Sequence, residues 1–352
     1  MPIRREIRFR LRLSLILLAF ALLAAGCKDV EVGVTTVRPE DAATQKAKPF
    51  MELKRPGEDL TKPLVVCSTA LVADLVTRLA GDWVRVQTLV RHRDDPHAYR
   101  PRAEDTIAVR DAQLTVAVGL RFETRMRETI DFAGRRGLLL AEIPDLSLVR
   151  APDAPPDSHI WWSVPNYILC VEKVRDTLIR MWPQQEETFR ANADAYITQL
   201  RELDTQTKAA AARIPESKRV IVTVHDALKY FARDYGFRTL APMSLQTEMT
   251  VDDAQLIAIA DALAKDKVPA AFKEASCANE KNLLIERIVA LANERHGHHV
   301  HVPGMLYTDN LERPGRLGGD YVSAFKLNFK LIYDVMMGES APEYFSAFSE
   351  GD

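Results

Sequence analysis

Between Pro183 and Pro215 the chain holds neither glycine nor proline, and Gln184 to Arg213 carries an unbroken helical pattern. Such a helix would be about 45 Å long at ~1.5 Å per residue. It continues a helical stretch that begins near Tyr167 and is interrupted only at Trp182-Pro183. A helix of this length is uncommon inside a small α/β lobe, so it is read as a strut joining two lobes.

The flanking sequence fits that division. On the N-terminal side, short β-branched runs alternate with helical patterns: "LVVCST", a helix to Leu79, "VRVQTLV", a loop, a helix from Arg102, "LTVAVG", another helix, and "GLLLAEI". On the C-terminal side come "RVIVTV", a helix ended by Gly236, a short strand near "FRTLAP", and a helix from Asp252 to Lys265. "VPAAFKE", a helix from Asn279 to Glu294, "HHVHVP", a loop and a helix from about Gly319 to Met337 follow. Strands alternating with helices predict parallel sheets with crossover helices. The expected fold is therefore α/β, with lobes at residues 61–183 and 214–352 joined by a helix at 184–213.

The first residues carry a different signal. Arg4, Arg5, Arg8, Arg10 and Arg12 precede an apolar run from Leu13 to Ala25 that closes on "AAGC". This run falls short of the ~20 residues a spanning helix needs and reads as a secretory signal, residues 1–26. "LAAGC" resembles the bacterial lipobox, which would leave Cys27 as a lipidated first residue; a retained membrane anchor is the alternative. Residues 27–60, with Pro39, Pro49, Pro56 and many charges, suit a flexible tether. Loss of residues 1–26 removes five arginines and one glutamate from 47 basic and 49 acidic residues, leaving a net charge of −6. That balance argues against a nucleic-acid partner. Cys67, Cys170 and Cys277 are odd in number and lack CxxC spacing, so neither a disulfide framework nor a cysteine zinc site is expected.

Four residues share one placement. His97 in "DDPHAYRP", His159 in "PPDSHIWW", His225 after "RVIVTV" and opening the next helix, and Asp309 in "MLYTDN" after "HHVHVP" all follow a strand. In open parallel sheets the loops at the carboxyl ends of strands form the ligand crevice. Two of these side chains come from each lobe, which puts a joint site in the cleft. Three imidazoles and a carboxylate suit a divalent first-row metal, and Pro96 and Pro101 restrict the loop around His97 before binding. Taken singly, each histidine reads more readily as a hydrogen-bonded structural residue than as a ligand, and Asp309 beside Asn310 as an Asx-turn; the repetition of one placement four times raises the joint site. Trp161 and Trp162 read as packing that excludes water. No P-loop, GxSxG, GxGxxG or HExxH occurs.

At these residues the sequence resembles the substrate-binding lipoproteins of bacterial zinc and manganese ABC transporters, the cluster A-I metal-binding proteins, from about Lys62 to Gly338. "DDPHAYRP" is similar to the family's DPH-x-Y-E-P, "DSHIWWSVPN" to its DPH-[VI]-W-x-D, "VTVHDALKYFARDYGF" to its H-D-A-F-x-Y-F-A-R-D-Y-G, and "MLYTDN" to its L-[FY]-[ST]-D-[SA]. The resemblance implies two α/β lobes joined by a rigid helix, with Zn2+ or Mn2+ held between them by His97, His159, His225 and Asp309. It also implies delivery to a membrane permease driven by a separate ATPase, by a monomer lipid-anchored outside the cytoplasm. Arg100 stands where the family has glutamate and Ser163 where it has aspartate, both expected beside the ligands. In place of a histidine-rich loop between the first two ligands, "HGHHVH" offers His296, His298, His299 and His301 as a secondary metal patch or a solvated polar loop. A secreted zinc hydrolase and a surface adhesin-type lipoprotein are the rival readings; a hydrolase needs an open coordination position and a general base.

Overall fold

The computed structural model describes residues 59–150, 154–245, 247 and 250–345. The expected signal segment, Cys27 and nearly all of the expected tether lie outside the described residues. Among the described residues no helix is long and apolar enough to cross a membrane.

The N-terminal sheet contains β1 (Leu64–Cys67), β2 (Arg85–Thr88), β3 (Leu114–Ala117) and β4 (Gly137–Leu139), in the order β2-β1-β3-β4 and all parallel. β1 is buried throughout, as a strand covered on both faces should be. Helix α1 (Ala70–Ala80) starts where Thr69 caps the Val72 amide, and it buries Leu71, Leu75, Val76 and Leu79. Helix α2 (Ala103–Asp111) follows the His97 loop, with Asp105 accepting from the Arg102 amide at 2.7 Å; α3 (Arg127–Asp131) precedes β4.

Helix α4 (Val164–Met181) is capped by Ser163 and ends at Trp182. After a 3₁₀ turn at Pro183–Gln185, α5 (Glu186–Arg213) runs for 28 residues, about 42 Å at ~1.5 Å per residue. Its buried residues Phe189, Ala193, Tyr196, Ile197, Leu200, Leu203, Thr207 and Ala210 recur at three- and four-residue steps along its whole length. That stripe packs on α1 and α4 at one end and on α6 (Lys229–Tyr235) and α9 (Tyr321–Met337) at the other. One helix thus shares its apolar face between helices of both halves.

The C-terminal strands are shorter: β5 (Val220–Val222) pairs with β6 (Arg238–Leu240), and β7 (Lys273–Glu274) with β8 (Met305–Leu306), again in parallel. A bond from the Phe272 amide to the Val222 carbonyl, 2.8 Å, sets the two pairs side by side, so their order repeats that of the first sheet. Helices α7 (Asp253–Lys265) and α8 (Asn279–His296) pack on each other; Asp252 caps α7 by accepting from the Gln255 amide.

Two expectations are corrected. The strand read into "HHVHVP" is a single bridge, His301 to Ala270, and regular pairing resumes only at Met305. Pro303 offers no N–H to the ladder and splits it. His225 does not open a helix: α6 begins at Lys229, because His225 bridges to Met243 and the Asp226 amide bonds the Ser244 carbonyl. Those peptides are tied sideways instead of along a helix axis.

In each sheet the chain places its second strand on one side of the first and then crosses to the other side. This creates a topological switch point at the carboxyl ends.

Candidate metal centre

The loops leaving β2, β4, β5 and β8 bring His97, His159, His225 and Asp309 together, all fully buried. The Nε2 atoms of His97 and His225 each lie 3.3 Å from that of His159. Asp309 Oδ1 is 3.3 Å from His225 Nε2 and 3.4 Å from His159 Nε2, while its Oδ2 is 3.9 Å from His97 Nε2. Two donors each about 2.05 Å from a tetrahedral ion lie roughly 3.3 Å apart, so the spacing is that of a coordination shell.

The opposite ring nitrogen of each histidine is taken. His159 Nδ1 is 2.7 Å from Asp157 Oδ1, His225 Nδ1 is 2.6 Å from Glu274 Oε2, and His97 Nδ1 is 3.1 Å from the Phe122 carbonyl. Each of these oxygens accepts a proton held on Nδ1, which leaves Nε2 of each ring facing the centre as the atom that would bind an ion. Asp309 Oδ1 is buried without a hydrogen-bond partner, and Ser276 Oγ donates to Oδ2 at 3.3 Å. A buried acceptor of this kind is costly unless something positive faces it.

Charge within the cluster is uneven. Burial, joined by the charges of His159 and His225, lowers His97 to about 4. For His159 burial acts the same way, but Asp157 and Asp309 outweigh it and lift the ring to about 9. His225 is likewise carried well above its ordinary value, against burial, by Asp309 and Glu274. Burial would raise Asp309, yet the facing imidazoles hold it well below the usual carboxylate range. Protons on His159 and His225 offset the buried carboxylates, and a divalent cation could replace both at no change in net charge.

The loops themselves are pinned. Asp95 accepts from the amides of His97 and Ala98, at 2.9 and 3.3 Å, and binds Thr247 Oγ1 and Lys281 Nζ from the C-terminal half. The rigidity around His97 therefore comes from Asp95 as well as from the two prolines. Tyr99 closes the far end through its hydroxyl on Asp105, 2.8 Å. Asn310 donates through Nδ2 to the carbonyls of Arg91 and Asp94, so it is Asn310 that ties this loop to the backbone while Asp309 faces the histidines. Trp161 and Trp162 both donate to the Thr308 carbonyl, at 3.1 and 2.9 Å, fixing the residue before Asp309. They anchor the loop in addition to packing against it.

Sequence reasoning missed the orienting groups. Asp157 stands two residues before His159, and Glu274 ends "VPAAFKE"; an acid at a strand's carboxyl end was the available signal. Phe122 acts through its backbone and leaves no such trace. Cys277 also escaped notice: with His225 and Glu274 it forms a second close group, its thiol 3.5 Å from Glu274. Cys67, Cys170 and Cys277 are all free and buried.

Other sites differ from expectation. Arg100 is exposed, and Ser163 caps α4 and accepts from Arg233 at 3.2 Å; neither touches the histidines, whose support comes from Asp157, Glu274 and Phe122. His296 faces Asp261 at 2.6 Å and His298 the Val268 carbonyl at 2.8 Å. Among the described residues His296, His298, His299 and His301 do not gather into a metal-sized group.

Comparison with known proteins agrees with this geometry. The family model described as "ZnuA: Zinc-uptake complex component A periplasmic" matches residues 65–335. The manganese-binding lipoprotein MntA of Bacillus subtilis is 32% identical over 272 residues, 76% of this chain and 88% of that protein. The zinc-binding protein TroA of Treponema pallidum is 32% identical over 276 residues, 77% and 88% of the two chains. The solved structure of periplasmic zinc-binding TroA superposes with a TM-score of 0.74 at 30% identity, covering 78% of this chain and 99% of that one. On the extent of the match and the fold it shares, the chain belongs to the ZnuA family of periplasmic zinc-uptake components.

Proposed function

We propose that this protein captures Zn2+ or Mn2+ outside the cytoplasm and hands it to an ABC permease powered by its ATPase. The ion is held by Nε2 of His97, His159 and His225 and by Asp309. The observation that carries the reading is the partnerless, buried Asp309 Oδ1 beside three Nε2 atoms whose Nδ1 positions are already committed. A cation satisfies all four at once. The donor set favours Zn2+ by intrinsic affinity; Mn2+ stands at the weak end of the divalent series and would gain if both Asp309 oxygens bind.

The role is that of a receptor and not of an enzyme. Four protein donors leave no position for an activated water, which a zinc hydrolase requires. In this reading residues 61–183 and 214–352 act as two lobes about the helix at 184–213, closing on the ion and reopening at the permease. Residues 1–26 direct export, Cys27 carries the lipid, and the tether gives a monomeric receptor reach at the membrane surface. The test is elemental analysis of protein purified without chelator, followed by competition between Zn2+ and Mn2+. Protein that takes up neither ion above a His159→Ala/His225→Ala control would refute the reading.

A further inference from the structure

Gly119, Leu120 and Arg121 follow one another with left-handed backbone, at φ 88°, 48° and 64°. Glycine accepts such a φ freely, but a leucine and an arginine meet a steric penalty there that neighbouring contacts must hold in place. The holding group is Glu123, which is 4% exposed. Its Oε1 accepts from the Val118 amide at 2.7 Å and its Oε2 from the Gly119 amide at 3.0 Å, while the Phe122 amide bonds back to the Gly119 carbonyl at 2.9 Å.

The residue enclosed by this turn faces the metal centre twice. The Phe122 carbonyl is the acceptor for His97 Nδ1. Its ring stands edge-on to His97, His159 and Trp161, with centroids 4.7, 5.6 and 4.9 Å apart. His159 and His225 are oriented by carboxylates directly. For His97 the carboxylate acts one step removed, through a peptide held in a strained turn.

We propose that Glu123 is a positioning residue of the metal centre: by pinning the left-handed Gly119–Arg121 turn it aims the Phe122 carbonyl at His97 and so keeps the His97 proton on Nδ1. The inference rests on His97 being a metal ligand. Both Glu123 oxygens receive an amide proton, so glutamine, which must present an NH2 to one of them, is expected to break half the clasp.

The test compares the full chain with Glu123→Gln, Glu123→Ala and Glu123→Ala/Arg121→Gly. Zn2+ affinity is measured by chelator competition, and the His97 tautomer from ring 15N shifts of the metal-free protein. Supporting residues around a metal site typically contribute 10–100-fold in affinity, so a loss of about 10-fold is expected for glutamine and on the order of 100-fold for alanine. Both variants should show a mixture of His97 tautomers. Glycine at 121 relieves one of the two strained side-chain positions, Leu120 keeping its own, and should restore part of the affinity lost in Glu123→Ala. Wild-type Zn2+ affinity with a single Nδ1-protonated His97 in Glu123→Gln would overturn the proposal, whatever the change in melting temperature. The glutamine variant decides the matter if alanine fails to fold. Wild-type protein that binds no Zn2+ while Glu123→Gln still scrambles the tautomer would refute the receptor reading and support the role of Glu123.

Discussion

Two sets of four residues invite comparison. His296, His298, His299 and His301 crowd into six positions at the end of α8, where the His296 ring faces Asp261, that of His298 the Val268 carbonyl, and the backbone of His301 bridges to Ala270. His97, His159, His225 and Asp309 are strewn over four loops, yet their donor atoms meet within 4.8 Å, fully buried. Density of histidine along the chain does not by itself bring donor atoms together. What distinguishes the second set is an acceptor behind each ring and the exclusion of water, which fix the lone pairs on a common point.

The sharpest way to break the comparison is to remove one donor from the buried set. His225→Ala should lower Zn2+ affinity by roughly 100-fold or more, exceeding the 10–100-fold typical of supporting residues, with the metal-free fold retained. Calorimetry showing unchanged binding would take His225 out of the site. Next in size is the support itself: Glu274→Gln or Asp157→Asn should cost about 10-fold or somewhat more, and equal affinity in both would show that the acceptors are incidental.

Proton coupling gives an effect of comparable kind. With His159 at about 9 and His225 well above its usual value, binding at neutral pH should release close to two protons per ion. Calorimetry in buffers of different ionisation enthalpy reads that number, and affinity should fall steadily as pH drops below about 9. The same shift acts oppositely on the metal-free protein. A histidine raised on folding contributes stability that is complete below its unfolded value near 6.5 and lost as pH rises through about 9. Metal-free protein should therefore lose stability across that interval while metal binding strengthens, and parallel trends would contradict the assignment.

Smaller still is the thermal effect of the ion. At a hundredfold excess over Kd, binding adds about 2.7 kcal/mol, which for a chain of this size raises Tm by roughly 5 °C. The smallest effect is expected from alanine at His296, His298, His299 and His301 together, with Zn2+ affinity within about twofold of wild type because exposed imidazoles without convergent partners bind weakly. A stoichiometry falling from two ions to one in that variant would restore the secondary patch.

Much of the architecture was legible in order and period. The long helix was read two residues early, because Pro183 starts a 3₁₀ turn before α5 settles. The first three N-terminal strands lay where their β-branched runs predicted, while "GLLLAEI" pairs only over Gly137–Leu139 before a 3₁₀ turn, and the C-terminal strands came out short and interrupted. Pro303 and the sideways bonds of His225 account for that, and neither follows from periodicity. Of the site, the four converging residues were readable from their shared place after strands. Their orienting partners were not: Glu274 lies 49 positions from His225 and Phe122 25 from His97.

By itself, then, the sequence determined the alternation of strands and helices, the strut, and which loops would face one another. These follow from local periodicity and from the handedness of parallel crossovers, which need no knowledge of distant contacts. Only the tertiary structure decided which ring nitrogen carries the proton, that Asp309 rather than Asn310 faces the centre, and that the late histidines turn away. Those outcomes depend on hydrogen bonds between segments far apart in the chain, whose geometry arises when burial forces every polar atom to find a partner.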